Sequence, residues 1–474
     1  GVLLSPPPSP PPTTTPSQQL QHLRYDSDRK AGESFDTVML HHGHKMDSDN
    51  RARAPPIYAS TSFAFEDAAH GADLFALKKL GPIYTRIMNP TTHVLEYRIA
   101  KLEGAPCLLD GAHPDALVTA SGQAAQMHAI FTICQKGDNI IAASNLYGGT
   151  YAQFKHTFPS MGVDVKFIDG TKPEEIESQA DENTKAVYYE TLANPSYNIP
   201  DFERVVAICK KLQVPLIVDN TFGMCGYTCR PLKFGANIVT SSCTKWIGGH
   251  GTTIGGVIVD GGNFDWSVKK KDGSPKFPLL AAPCPAYHGM NFNAVFGPKG
   301  PFKVNMAFIF RARAIALRDM GGCQNPFGSF LLLQGLETLS LRARAHCNNA
   351  NTLAKWLSEH DKVEWVSHTS LPQHKSHKLA KKYFREGCFG AVLSFGIKGG
   401  FESAKKFINS VKLATHLANV GDAKTLVIHP SSTTHQQLND EQQKNAGVTK
   451  DMVRVSVGYE DIRDIIADFD QALK

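Results

Sequence analysis

The chain has 474 residues, 42% of them hydrophobic and 20% charged, with 39 Gly and 28 Pro, a balance that excludes a disordered, collagenous or coiled-coil protein. Its 50 Lys and Arg against 44 Asp and Glu leave a net charge of +6, scattered along the chain, so nucleic acid is not an expected partner. No run approaches the roughly eighteen apolar residues of a membrane span, and ten Cys without a C-x-x-C pair or an N-x-Ser/Thr acceptor fit a reduced cytoplasmic setting better than a secreted one.

In chain order, Gly1 to Ser17 holds seven of the prolines; this favours solvated polyproline II, so residues 1–34 are set aside as a disordered leader that matches neither a signal nor a transit peptide. His41-His42-Gly43-His44 lacks converging Cys or carboxylate ligands, and no metal is expected. From about residue 115 to 260, short β-branched runs alternate with amphipathic helical stretches. The runs begin at Asn139, Val163, Ala186, Pro215, Asn237 and Gly256, and they predict βα units around a mostly parallel buried sheet. Residues 261–305, rich in Gly, Pro, Phe and Lys, break that rhythm as an ordered insertion or surface excursion. A long helical pattern over 307–355 and strands near Ala391 and Met452 then predict a smaller C-terminal α/β domain. The expected division is 35–90 as an extended segment, 91–315 as the large domain and 316–474 as the small one.

In an open α/β sheet, chemistry gathers beyond the carboxyl ends of the strands. There Asp219-Asn220-Thr221 ends one run, and Ser241-Ser242-Cys243-Thr244-Lys245 ends the next. An acid and a hydroxyl-flanked lysine on neighbouring strand ends suit a pyridoxal phosphate enzyme. The amine forms a Schiff base, the Asp keeps the pyridine nitrogen protonated, and hydroxyls and amides hold the phosphate. Ser121-Gly122-Gln123 opens a helical pattern and offers free amides to an anion, while Tyr147, in Leu-Tyr-Gly-Gly, can lie flat on an aromatic ring. Gly249-His-Gly251-Thr-Thr-Ile-Gly255 misses the dinucleotide spacing and opens no Rossmann unit. Lys269-Lys-Lys271 reads as a solvated loop, and Cys243 as inert packing.

These motifs resemble the Cys/Met-metabolism family of fold-type-I pyridoxal phosphate enzymes, in particular its O-acetylhomoserine sulfhydrylase branch. The resemblance runs from about Phe35 to the C-terminus through Ile83-Tyr-Thr-Arg, Ser121-Gly-Gln-Ala-Ala, Val218-Asp-Asn-Thr, Thr244-Lys-Trp and Leu417-Ala-Asn-Val-Gly. It implies a mostly parallel seven-stranded central sheet with helices on both faces. It implies Lys245 as covalent anchor and proton carrier, Asp219 at the ring nitrogen, Asn194 at the phenolic oxygen, and Tyr147 on the ring face. Ser121, Gly122, Gln123, Ser242 and Thr244 would bind phosphate. Tyr84 and Arg86 would reach a neighbouring subunit's phosphate, making a dimer the minimum unit and a tetramer the expected assembly. Arg454 would clamp the substrate carboxylate with Asn419 beside it, and Tyr147 and Tyr84 are candidates for aiding proton transfer.

The reaction so implied joins O-acetyl-L-homoserine and sulfide to give L-homocysteine and acetate. Asp422-Ala423-Lys424 stands where many cystathionine-forming or cystathionine-cleaving relatives carry Glu, which favours sulfide over cysteine. The segment 107–115 is longer than the family's usual connection. It leaves open a related γ-substitution with another nucleophile, or cystathionine γ-synthase or lyase chemistry. A catalytically silent scaffold fits poorly with Lys245 and Asp219 both present.

Overall fold

The computed structural model describes residues 33–46, 49–109, 113–433, 436, 439 and 447–474. The proline-rich stretch of the leader, and residues 110–112 of the segment 107–115, lie outside the described residues. The first sheet has seven strands: β1 (Ala116–Thr119), β2 (Asn139–Ala143), β3 (Asp164–Ile168), β4 (Thr184–Glu190), β5 (Leu216–Asp219), β6 (Ile238–Ser242) and β7 (Gly256–Asp260). Their spatial order is β1-β7-β6-β5-β4-β2-β3. β2, β4, β5 and β7 are buried along their whole lengths or nearly so, as expected of a sheet covered on both faces. The pairs among β2 to β6 are parallel, whereas β7 runs antiparallel to both β1 and β6. That reversal follows from chain length. Residues 243–255 contain no crossover helix, and a strand that returns without one can only come back antiparallel.

The parallel strands therefore present their carboxyl ends on one edge, where Tyr147 follows β2, Glu190 ends β4, Asp219 ends β5 and Ser242 ends β6. The insertion 261–305 is less superficial than its composition suggests. Trp266, Phe277, Phe292 and Phe296 are all buried, with Trp266 stacked on Phe308 at 5.6 Å and Phe296 on Phe310 at 3.9 Å between ring centroids. Its rings thus extend the main core. The expected long helical stretch breaks into pieces, among them Pro326–Leu336 and Leu339–Ser358.

A second, five-stranded sheet follows: β8 (Val363–Ser367), β9 (Val392–Ile397), β10 (Thr415–His416), β11 (Leu426–Ile428) and β12 (Met452–Ser456), ordered β10-β11-β12-β9-β8. It has its own apolar cluster, built from Leu353, Leu357, Phe395, Phe407, Val453 and Phe469. One loop and one strand bring this half to the first sheet: the stretch 417–423, and β12 with Arg454 at its centre.

Candidate active site

The phosphate end is built first by backbone. Helix Gly122–Ile133 starts at an N-cap, Ser121, whose Oγ accepts from the Ala124 amide at 3.1 Å, leaving the amides of Gly122 and Gln123 for another acceptor. A Cβ on Gly122 would lie 2.9 Å from the Ser242 Cβ, so only glycine lets the helix start abut the end of β6. The result is a cradle with the positive end of a helix on one side. The Gln123 side chain donates to the Gly149 carbonyl at 3.0 Å, and the Thr244 hydroxyl accepts from the Gly255 amide at 3.1 Å. Both ties fix neighbouring loops against the cradle.

The acid and the lysine sit deeper. Thr221 gives Asp219 Oδ1 two hydrogen bonds, from its amide at 2.8 Å and its hydroxyl at 2.6 Å, and the same hydroxyl accepts from the Ser242 amide at 2.9 Å. One threonine therefore couples the acid to the cradle. Burial pushes the Asp219 carboxyl up, while Thr221 pulls it back down. The Lys245 amine is held at 2.5 Å from Asn419 Oδ1, and burial, then the Arg454 charge, lowers it to about 8. A buried, depressed amine is a usable nucleophile and proton carrier near neutral pH.

Arg454 is only 8% exposed. Its Nη2 donates to the Asn419 carbonyl at 3.4 Å, and burial lowers its affinity for a proton. A sequestered guanidinium that finds, among the described residues, a long bond to a neutral carbonyl is matched to an incoming carboxylate. Asn194 lines the same space, and its Oδ1 has no partner among the described residues.

These groups surround one cavity of about 300 Å³, lined by Ser121, Gly122, Gln123, Tyr147, Asn194, Asp219, Ser242, Thr244, Lys245, Asn419 and Arg454 among others. Tyr84 and Arg86 are not brought there. Tyr84 is 42% exposed, the Arg86 guanidinium lies 5.6 Å from its ring centroid, and Arg86 donates to the Arg318 carbonyl. The cavity also takes Gln126, Thr150, Glu190, Thr221, Phe222, Ile254, Ala418 and Val420, which sequence reasoning did not single out. Gln126 stands one helical turn beyond Gly122 and was findable from periodicity. Thr221 and Glu190 flank singled-out residues, but their bonds depend on how loops fold back.

The donor set suits pyridoxal phosphate: a helix N-terminus and hydroxyls for the dianion, a buried acid for the ring nitrogen, the side-chain N–H group of Asn194 for the phenolic oxygen, and an amine for the aldehyde. The cradle that a Cβ at Gly122 would fill is the most restrictive part of that fit.

Comparison with known proteins agrees. Residues 36–474 match the model of the family described as Cys/Met metabolism PLP-dependent enzyme. The chain is 55% identical over 442 residues to the homocysteine synthase of Schizosaccharomyces pombe, covering 93% of this chain and 98% of that one. It is 49% identical over 440 residues to O-acetyl-L-homoserine sulfhydrylase 1 of Thermus thermophilus, covering 93% and 99%. A solved structure from Campylobacter jejuni, assigned as an O-acetylhomoserine (thiol)-lyase and holding an N′-pyridoxyl-lysine-5′-monophosphate, superposes with a TM-score of 0.85 at 35% identity, covering 93% of this chain and 99% of that one. On the geometry of its cavity and on these matches, the chain belongs to the Cys/Met metabolism family of PLP-dependent enzymes.

Proposed function

We propose that the protein catalyses γ-replacement on an acylated homoserine, converting O-acetyl-L-homoserine and sulfide to L-homocysteine and acetate, within methionine and cysteine biosynthesis. The observation that carries this reading is the meeting of Lys245, Asp219 and Arg454 in one cavity, Arg454 having no carboxylate partner among the described residues. When bound, pyridoxal phosphate supplies an electron sink conjugated to the amino acid's α-carbon.

The chain's own residues supply the rest. Lys245 would be the covalent anchor of the cofactor, and its amine, at about 8, suits taking and returning protons at the substrate's α and β carbons. Asp219, tethered by Thr221, would hold a proton at the ring nitrogen. Tyr147 would lie against the ring and, with Tyr84, is a candidate for assisting proton movement. Asn194 would donate to the phenolic oxygen, while Ser121, Gly122, Gln123, Ser242 and Thr244 would hold the phosphate. Arg454 takes the α-carboxylate in a planar two-point grip, with Asn419 beside it. Phe222, Ile254 and Val420 wall the cavity with apolar surface and limit water around the leaving acetate.

We also assign Tyr84 and Arg86 to the neighbouring subunit's phosphate, in a dimer at least and a homotetramer as the full assembly. Their exposure, away from their own chain's cavity, supports that role. A cytoplasmic location fits the biosynthetic role, and none of the described helices is long and apolar enough to cross a membrane. The test is a matrix of acyl donors against nucleophiles with the purified holoenzyme, read by mass spectrometry. O-acetylhomoserine with sulfide is expected to turn over fastest, and no homocysteine from that pair would refute the assignment. Preferred use of cysteine would instead mark a cystathionine-forming enzyme, and a carbon or nitrogen nucleophile a related γ-substitution.

A further inference from the structure

One buried carboxyl in the cavity has no part in the roles above. Glu190 closes β4, its Cα is the register partner of Asp219 on β5, and it is only 6% exposed. Its bonds go to backbone. Glu190 Oε1 accepts from the Tyr147 amide at 2.6 Å, and the Asn194 amide donates to the same carboxyl. These are the main-chain groups of the residue assigned to the ring face and of the residue assigned to the phenolic oxygen. One side chain thus reaches both contacts from behind, and the Tyr147 so held begins the helix Gly148–Ala152.

The charge balance of the pair points the same way. Two carboxylates on adjacent strand ends repel each other in a site that already disfavours charge. Asp219 receives both Thr221 hydrogen bonds, which favour the ionised form there. Burial, and then Asp219, push the Glu190 carboxyl well above the usual range. The groups that face Glu190 are Asp219 from β5, Tyr147 from the loop after β2 and Tyr188 from β4 itself, with Lys245 and Arg454 lining the same cavity.

We propose that Glu190 is a positioning residue: its carboxyl fixes the backbone of Tyr147 and Asn194 at one spacing across the cavity. This rests on the pyridoxal phosphate reading given above. Glu190→Gln keeps the shape and an oxygen that can accept from a main-chain amide, whereas Glu190→Ala removes the clamp. Two readouts on purified protein separate the cases: affinity of the cofactor-free protein for pyridoxal phosphate, and visible circular dichroism of the bound ring.

Glu190→Gln is expected to keep most of the dichroism and the affinity. Glu190→Ala is expected to lose about tenfold in affinity, the size of one or two lost backbone hydrogen bonds, together with most of the dichroism. Equal damage in the Gln and Ala variants would overturn the proposal, and so would an Ala variant indistinguishable from wild type. A wild-type protein that takes up no pyridoxal phosphate would overturn the functional reading instead, an outcome distinct from these.

Discussion

Lys245 is half-buried, with the Arg454 guanidinium across the cavity, and the two effects together bring its amine from 10.5 to about 8. The sign of the linked stability follows. Between about pH 8 and 10.5 the unfolded chain carries a proton on this amine that the folded chain has released. The cofactor-free protein therefore gains stability as pH rises through that window. Lys245→Met is expected to melt higher than wild type at pH 7, by about 2 kcal/mol once partial exposure is allowed for, and to lose that advantage by about pH 10.5. Melting curves of the two cofactor-free proteins across that range check this. Arg454 tests the other end of the cavity. Arg454→Lys keeps the charge but not the planar fork, so the KM for the amino-acid donor should rise about ten- to hundredfold with a smaller change in kcat, measured by steady-state kinetics on the holoenzyme.

At the scale of elements, the loop 243–255 has to return antiparallel and still point Lys245 into the cavity. Arg342, on helix Leu339–Ser358, manages its carbonyls: Nη1 donates to Trp246 O at 2.9 Å and Nη2 to Ile247 O at 3.4 Å. Gly249, at φ +73°, passes so close that a Cβ would sit 2.1 Å from Arg342 Nη1. Gly249→Ala should therefore cost about 2–4 kcal/mol and loosen the cofactor site. Gly137→Ala, also left-handed at φ +91° but with nothing within 4 Å, should cost only about 1–2 kcal/mol. Urea denaturation of both variants separates clash from backbone strain.

The sequence made six of the seven strands of the large sheet legible, all but the short β1 (Ala116–Thr119), because buried runs of β-branched residues between turn signals leave few alternatives. The ends of those runs then located Asp219, Ser242 and Lys245. It could not show that β7 reverses, since that depends on what the chain does between 243 and 255. It also underrated 261–305, where Gly and Pro mask Trp266, Phe277, Phe292 and Phe296, all of which join the core. Glu190 and Thr221 escaped notice for a related reason. Their work is done through backbone amides and hydroxyls whose partners are set by register and by loop folding, not by spacing along the chain.

At the scale of the whole molecule, two sheets with separate apolar clusters meet at the cavity, one bringing Asp219 and Lys245 and the other Asn419 and Arg454. Tyr84 and Arg86 lie elsewhere on the same chain. If they serve a neighbour, Lys245→Ala and Arg86→Ala proteins, each nearly inactive alone, should regain activity when unfolded together and refolded as a mixture, because a mixed dimer contains one intact site. No gain on mixing would place Arg86 in the service of its own subunit's site instead. The most direct measurement is made on one nitrogen atom. The purified holoenzyme is reduced with borohydride, digested, and its peptides are weighed for a pyridoxyl phosphate group. The expected result is a single modified peptide with the added mass on Lys245; modification of another lysine, or of none, would contradict the central assignment.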